Sequence, residues 1–212
     1  MGKIYLVRHG ETVLNIEKRY QGYGDSPLTE RGISQAQALG EKMKDVKIDK
    51  AYSSDLGRVI ATTRYILGDR DMEINQLKGL REFYWGDWEG LTYQEIGEKY
   101  NFPTGPERSK YTLNTPKNGD VAKTFADRIS TTIDQIAKEN ADKDILVVSS
   151  NMAIVFMLNY IEGRDIWNCD LKQGRYLIQT SLTTIQNDHG KLTIIDEGNT
   201  DHLKEIGFDG RK

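Results

Sequence analysis

The sequence predicts an α/β fold: a three-layer α/β/α sandwich with a mostly parallel sheet and a small helical cap insertion. Three observations carry that reading. Short β-prone apolar runs alternate with stretches of helical period. Those runs show no polar alternation, the pattern of strands buried on both faces. The rhythm is interrupted once, at about residues 83–118, by a segment rich in aromatics, Gly and Pro. The 212 residues suit a single domain, 1–212, large enough to bury a full core.

Ile4 to Val7 is the first predicted strand. In "SPLTERGISQAQALGEKM", Thr29 stands as N-cap and Ile33, Ala36, Leu39, Gly40 and Met43 form one apolar stripe, an amphipathic helix. A short strand follows around Ala51 and Tyr52. After it, "SSD" is expected to cap a helix bearing Leu56, Val59, Ile60, Thr63, Ile66 and Leu67. Arg58 falls in the first turn of that helix, where a cation opposes the helix dipole unless an anion lies nearby.

Within 83–118 a helix is expected from about Thr92 to Tyr100, as a cap over one end of the sheet. Val121, Phe125, Ile129, Ile133 and Ile136 mark a long helix returning to the core. Ile145 to Val148 is another buried strand, joined through Ser149, Ser150 and Asn151 to a helix from about Met152 to Tyr160. "SLTTIQNDHGKLTIIDEG" closes the chain as a hairpin turning at Asp188-His189-Gly190. Ligands on such sheets sit beyond the C-terminal ends of the strands, where Arg8, His9 and Ser149 to Asn151 fall.

Composition narrows the function. Apolar residues make up 37% and charged residues 29%, within the range of a folded, water-exposed protein. The net charge of −3 argues against nucleic acid as a partner, so any anion site must be built locally. Cys169 is the only cysteine, which excludes an internal disulfide and a cysteine zinc site. The start "MGKIYLVRHGE" does not read as a signal peptide, and the apolar run Ala153 to Ile161 is far shorter than the roughly 18 residues a membrane span needs. A cytoplasmic setting without membrane attachment is expected.

The chemistry concentrates in "VRHGET". Arg8 and His9 come directly off a buried strand, and Gly10 permits a sharp turn or a close approach. A guanidinium grips phosphoryl oxygens in a fork and an imidazole can attack phosphorus. Taken alone, such a pair is also compatible with two solvated loop residues. "GYGDSP" starts like a dinucleotide fingerprint but lacks its third Gly and its preceding strand. His189 reads as a hairpin tip and Cys169 as a packing residue. No carboxylate cluster has metal-ligand order, and neither a metal nor a cofactor is expected.

Four blocks decide between the readings: "LVRHGETxxN" ending at Asn15, "QGYGDSPLTERGxxQA", "YSSDLGRVxAT" and "LREFYWGDWEG". In this order and at these separations they resemble the histidine phosphatase superfamily, also called phosphoglycerate mutase-like, from Lys3 to about Leu203. The resemblance implies an enzyme with His9 as phosphorylated nucleophile, Arg8 and Arg58 as phosphoryl-binding arginines, and Glu82 as proton donor to the leaving oxygen. It implies that Asn15, Gln21 and Gly22 line the phosphate and substrate pocket. His202 resembles part of the family's "T-x-H-L" ending and is expected to close the fold.

One departure stands out. The family's later core strand ends in a second His followed by Gly, and those positions here are Ser150 and Asn151. Ser150 can donate one hydrogen bond to a bound phosphoryl group but supplies no charge. Losing one preorganised donor typically costs about 10²–10³ in rate. The expectation is a phosphatase acting on small phosphorylated metabolites, with such a substrate or inorganic phosphate as its bound partner, weakened by Ser150 and closer to the broad-specificity branch than to the mutases. A phosphoglycerate mutase (isomerase) and a catalytically impaired phosphate binder are the alternatives. Arg108, Lys110 and Lys117 are expected to face solvent.

Overall fold

The computed structural model describes residues 1–102, 116–164, 175 and 177–208. Arg108, Lys110 and Cys169 lie outside the described residues. Among the described residues, six strands form one sheet: β1 (Gly2–Arg8), β2 (Lys50–Ser53), β3 (Ile74–Gln76), β4 (Ile145–Ser149), β5 (Leu182–Asp188) and β6 (Lys191–Asn199). Their order is β3-β2-β4-β1-β5-β6. The four from β3 to β1 run parallel, while β5 and β6 are antiparallel additions, so the predicted mostly parallel sheet is present.

The helices are α1 (Val13–Ile16), α2 (Glu30–Lys42), α3 (Gly57–Leu67), α4 (Tyr93–Tyr100), α5 (Ala122–Glu139), α6 (Asn151–Ile161) and α7 (Asp201–Lys204). Alternation along the strands divides the core. Tyr5, Val7, Leu146 and Val148 point to one face and meet Ala36 and Leu39 of α2 and Val59 and Ile66 of α3. Ile4, Leu6, Ile145 and Val147 point to the other and meet Phe125, Ile129 and Ile133 of α5 and Ile154 and Phe156 of α6. Two apolar layers on opposite faces make the three-layer sandwich. Met152 to Asn159 of α6 are all buried, which explains its near-continuous apolar sequence.

Local signals hold at several elements. Thr29 caps α2 by accepting from Gly32 N–H, and Thr92 and Glu95 form a capping box on α4. The terminal hairpin turns through His189 (φ 51°) and Gly190 (φ 95°), a two-residue loop with both central residues left-handed. Two expectations change and one strand is unpredicted. No "SSD" side chain caps α3: its N-cap is Leu56, and Asp25 Oδ1 accepts the Arg58 N–H at 3.2 Å instead. Val121 is the exposed residue ahead of α5 rather than part of its buried stripe. The three-residue edge strand β3, whose residues are at most half-buried, carries too little pattern to be read in advance.

The parallel strands β1, β2 and β4 end together at Arg8, Ser53 and Ser149. Backbone bonds tie their exits to one another, from His9 N–H to Ser149 O at 2.9 Å and from Ser54 N–H to Val148 O at 3.3 Å. This edge carries the candidate site. Among the described residues, no helix is long and apolar enough to cross a membrane.

Candidate active site

His9 leaves β1 beside the end of β4, and its imidazole is 3% exposed. Its Nδ1 lies 2.8 Å from the carbonyl oxygen of Gly10. A carbonyl only accepts, so Nδ1 carries the hydrogen and Nε2 keeps the lone pair. Burial, then the charges of Arg58 and Arg8, hold the imidazole pKa well below its ordinary value. The ring is therefore a neutral base at neutral pH, the form a nucleophile requires. Gly10 allows the close approach that the sequence suggested, because a Cβ there would lie 2.6 Å from Gly32 O at the start of α2.

Arg58 is buried at 2% exposure, and a loop carbonyl holds each arm of its fork. Nη1 donates to Gly24 O at 2.7 Å and Nη2 to Gly22 O at 2.8 Å, with Asp25 Oδ1 3.3 Å from Nη1. Asp25 is the anion that lets a cation sit in the first turn of α3. Arg8, 5% exposed, donates from Nη1 to Leu177 O, and its backbone carbonyl accepts from Thr180 N–H at 3.0 Å.

Glu82 is also buried, and both carboxyl oxygens are engaged. Oε1 accepts from Phe83 N–H at 2.8 Å and Oε2 from Met152 N–H at 3.2 Å, at the start of α6. Burial raises its pKa, against the opposing pull of those two N–H groups and of Arg58 and Arg8. His9 and Glu82 both feel both guanidinium charges. Both groups thus lie within electrostatic reach of Arg8 and Arg58.

Other expected residues act less directly. Gln21 Nε2 donates to Thr12 Oγ1 at 2.7 Å, and the buried Gln21 Oε1 has no partner among the described residues. Asn15 Oδ1 accepts from Thr12 N–H at 3.2 Å, closing a capping box on α1. Gly22 contributes the carbonyl held by Arg58 and, with φ +54°, a conformation suited to glycine. Ser150 is fully buried as the N-cap of α6, makes no side-chain cap, and its Oγ has no partner among the described residues. Ser54 Oγ and Arg58 Nε share that condition.

The cap aromatics are mostly packing. Phe83 is fully buried and meets Phe125 edge-on at 5.1 Å, and Trp85 stacks parallel to Trp88. Tyr23 and Tyr84, 4.9 Å apart, are only half-buried and stay available as a wall. The exposed Lys117 faces solvent as expected. His202 is buried with Nε2 3.0 Å from Thr180 Oγ1, which fits closure of the fold. Among the described residues, no three His, Cys, Asp or Glu side chains gather as a metal site.

Sequence reasoning missed Glu89. Its carboxylate accepts from Tyr23 N–H at 2.7 Å, Gly24 N–H at 2.9 Å and Trp85 N–H at 3.3 Å, stapling the loop that holds Arg58 to the cap. Nothing in "GDWEG" marks that role, because two of the three partners, the Tyr23 and Gly24 N–H groups, lie more than sixty residues away.

Comparison with known proteins agrees with this geometry. The family model described as "Histidine phosphatase superfamily (branch 1)" matches residues 4–200. The chain is 31% identical over 213 residues to "Phosphoglycerate mutase-like protein 4" of Arabidopsis thaliana, covering 97% of this chain and 89% of that one. It is 29% identical over 175 residues to "Adenosylcobalamin/alpha-ribazole phosphatase" of Escherichia coli, covering 81% and 86%. Among solved structures, "Bacillus stearothermophilus YhfR" superposes with a TM-score of 0.84 at 30% identity, covering 96% of this chain and all of that one.

Proposed function

The chain belongs to the histidine phosphatase superfamily, and from that membership we propose a metal-independent phosphoric monoester hydrolase that works through phospho-His9 on small phosphorylated metabolites in the cytoplasm. The observation that carries the reading is the opposed tuning of two buried groups beside two arginines. His9 is held neutral with its lone pair on Nε2, and Glu82 is pushed toward its protonated form.

In the first step the Nε2 lone pair attacks phosphorus. The N–P bond forms, the bond to the ester oxygen breaks, and the Glu82 proton passes to that oxygen as it leaves. Arg8 and Arg58 balance the charge on the equatorial oxygens, and phosphoryl transfer depends chiefly on such positioning and electrostatics. In the second step water attacks phospho-His9, its proton goes to Glu82, and the N–P bond breaks to release phosphate. Gln21 and Asn15 border the pocket, and Ser150 stands where the family carries its second imidazole.

Ser150 supports a slower enzyme than one with a cationic donor in that position. The same observation favours a second reading, a phosphate-ligand binder with little turnover. Assay of p-nitrophenyl phosphate hydrolysis separates the two. Turnover that His9→Ala abolishes supports the hydrolase, and native turnover no greater than that of His9→Ala supports the binder. The mutase alternative is checked by supplying 3-phosphoglycerate: hydrolysis to glycerate and phosphate supports a phosphatase, and isomerisation supports a mutase.

A further inference from the structure

Asn151 occupies a position where the family resemblance calls for glycine, and it has found a partner. It is the first residue of α6, and its Oδ1 accepts the N–H of Leu177 at 3.3 Å. Leu177 is buried just ahead of β5, and its carbonyl is the acceptor for Arg8 Nη1. The side chain of Asn151 thus holds the N–H of the residue whose C=O holds the guanidinium. A glycine at 151 offers no acceptor there.

The far end of the same turn is also fixed. Thr180 N–H donates to the Arg8 carbonyl at 3.0 Å. Thr180 has φ +58°, a left-handed conformation unusual for a β-branched residue. Its hydroxyl lies 2.7 Å from Gln179 O, to which it donates, and 3.0 Å from His202 Nε2. Residues 177–180 therefore form a short brace, held by Asn151 at one end and by His202 through Thr180 at the other, with Arg8 gripped between.

We infer that Asn151 is a positioning residue which, through the Leu177 carbonyl, sets the Arg8 guanidinium for phosphoryl binding. This rests on the reading above, in which Arg8 binds the phosphoryl group. A long side chain loses rotamer freedom when it grips an anion, and a fork already anchored at one nitrogen loses less on binding. The replacement that removes an imidazole at 150 thus brings with it, at 151, an added restraint on the neighbouring arginine.

The test is a double-mutant cycle with p-nitrophenyl phosphate as substrate and inorganic phosphate as competitive inhibitor. Asn151→Gly lowers kcat/KM by about three- to tenfold, the size of one neutral hydrogen bond, and raises the phosphate inhibition constant by a similar factor. In an Arg8→Lys background, which lacks the fork, the same substitution changes kcat/KM by less than about twofold. An equal fall in both backgrounds, or no fall in the native one, overturns the inference. Calorimetric titration of Asn151→Gly with phosphate reads the positioning effect without turnover. His9→Ala assayed in parallel reports separately on the hydrolase reading.

Discussion

Replacing Gly22 with alanine places a methyl carbon 1.8 Å from Glu89 Oε1 and 2.7 Å from its carboxyl carbon. The carboxylate must move, because no real Cβ contact is that short. Alanine at φ +54° costs about 1–2 kcal/mol by itself. Displacing Glu89 breaks at least one of its bonds to Tyr23, Gly24 and Trp85 N–H, at about 1.5–3 kcal/mol for a hydrogen bond to a charged group. The sum is about 2.5–5 kcal/mol. At roughly 2–4 °C per kcal/mol for a chain of this size, Tm falls by about 5–20 °C. The loop that shifts also carries the Gly22 and Gly24 carbonyls that orient Arg58. A displacement of about 1 Å in a positioning group costs on the order of 10²-fold, so kcat/KM falls by about that factor. Thermal unfolding and steady-state hydrolysis of p-nitrophenyl phosphate measure both effects. Glu89→Ala in the same chain removes the clash and makes the two changes less than additive. A Gly22→Ala protein with native Tm and native kcat/KM would refute the claim that Glu89 staples the Arg58 loop.

Three further outcomes are expected. Ser150→His restores a charged donor and raises kcat by up to about 10²-fold, while crowding a fully buried position at about 1–3 kcal/mol of stability; a folded variant with unchanged kcat shows that this position does not limit the rate. The pH profile of kcat/KM rises through a His9 pKa well below 6.5 and falls through a Glu82 pKa above 4.5, and Glu82→Gln lowers kcat about 10²–10⁴-fold and removes the alkaline limb; an acid limb at or above 6.5 contradicts the neutral, buried imidazole. His202, with its pKa lowered to about 4, binds a proton more readily unfolded than folded, so the protein loses stability relative to His202→Asn as pH falls from 6.5 to 4, by at most about 1.4 kcal/mol per pH unit; parallel stability curves for the two proteins in urea would show that His202 does not titrate in this window.

Legibility in the sequence followed how local each signal was. The strand leading to Arg8 and His9, the Thr29 cap and the His189-Gly190 turn are set by neighbours within a few residues, and all were readable; the helix near Thr92 was readable too, though not that Thr92 caps it. The residues proposed as catalytic could be named from the sequence because their motifs are contiguous. Groups acting through distant backbone atoms were not. Asp25 caps α3 from thirty-odd residues earlier in the chain, Glu89 ties down Tyr23 and Gly24, and Leu177, ahead of the neighbouring strand β5, holds Arg8 from far along the sequence. Each uses a common residue type, in a position whose meaning exists only once the chain has folded. Ser150 lies between these cases: its departure from the family pattern was visible, while its complete burial and a hydroxyl without a partner among the described residues were not.

The proposed hydrolysis depends on transfer of the phosphoryl group to the imidazole of His9. Acid-quench-free mass spectrometry of the native protein, mixed rapidly with p-nitrophenyl phosphate and digested at alkaline pH where phosphohistidine survives, tests it directly. One phosphoryl group is expected on the peptide containing His9, formed within a turnover and absent in His9→Ala. Turnover without any phosphorylated His9 peptide, or a phosphoryl group carried on another residue, would contradict it.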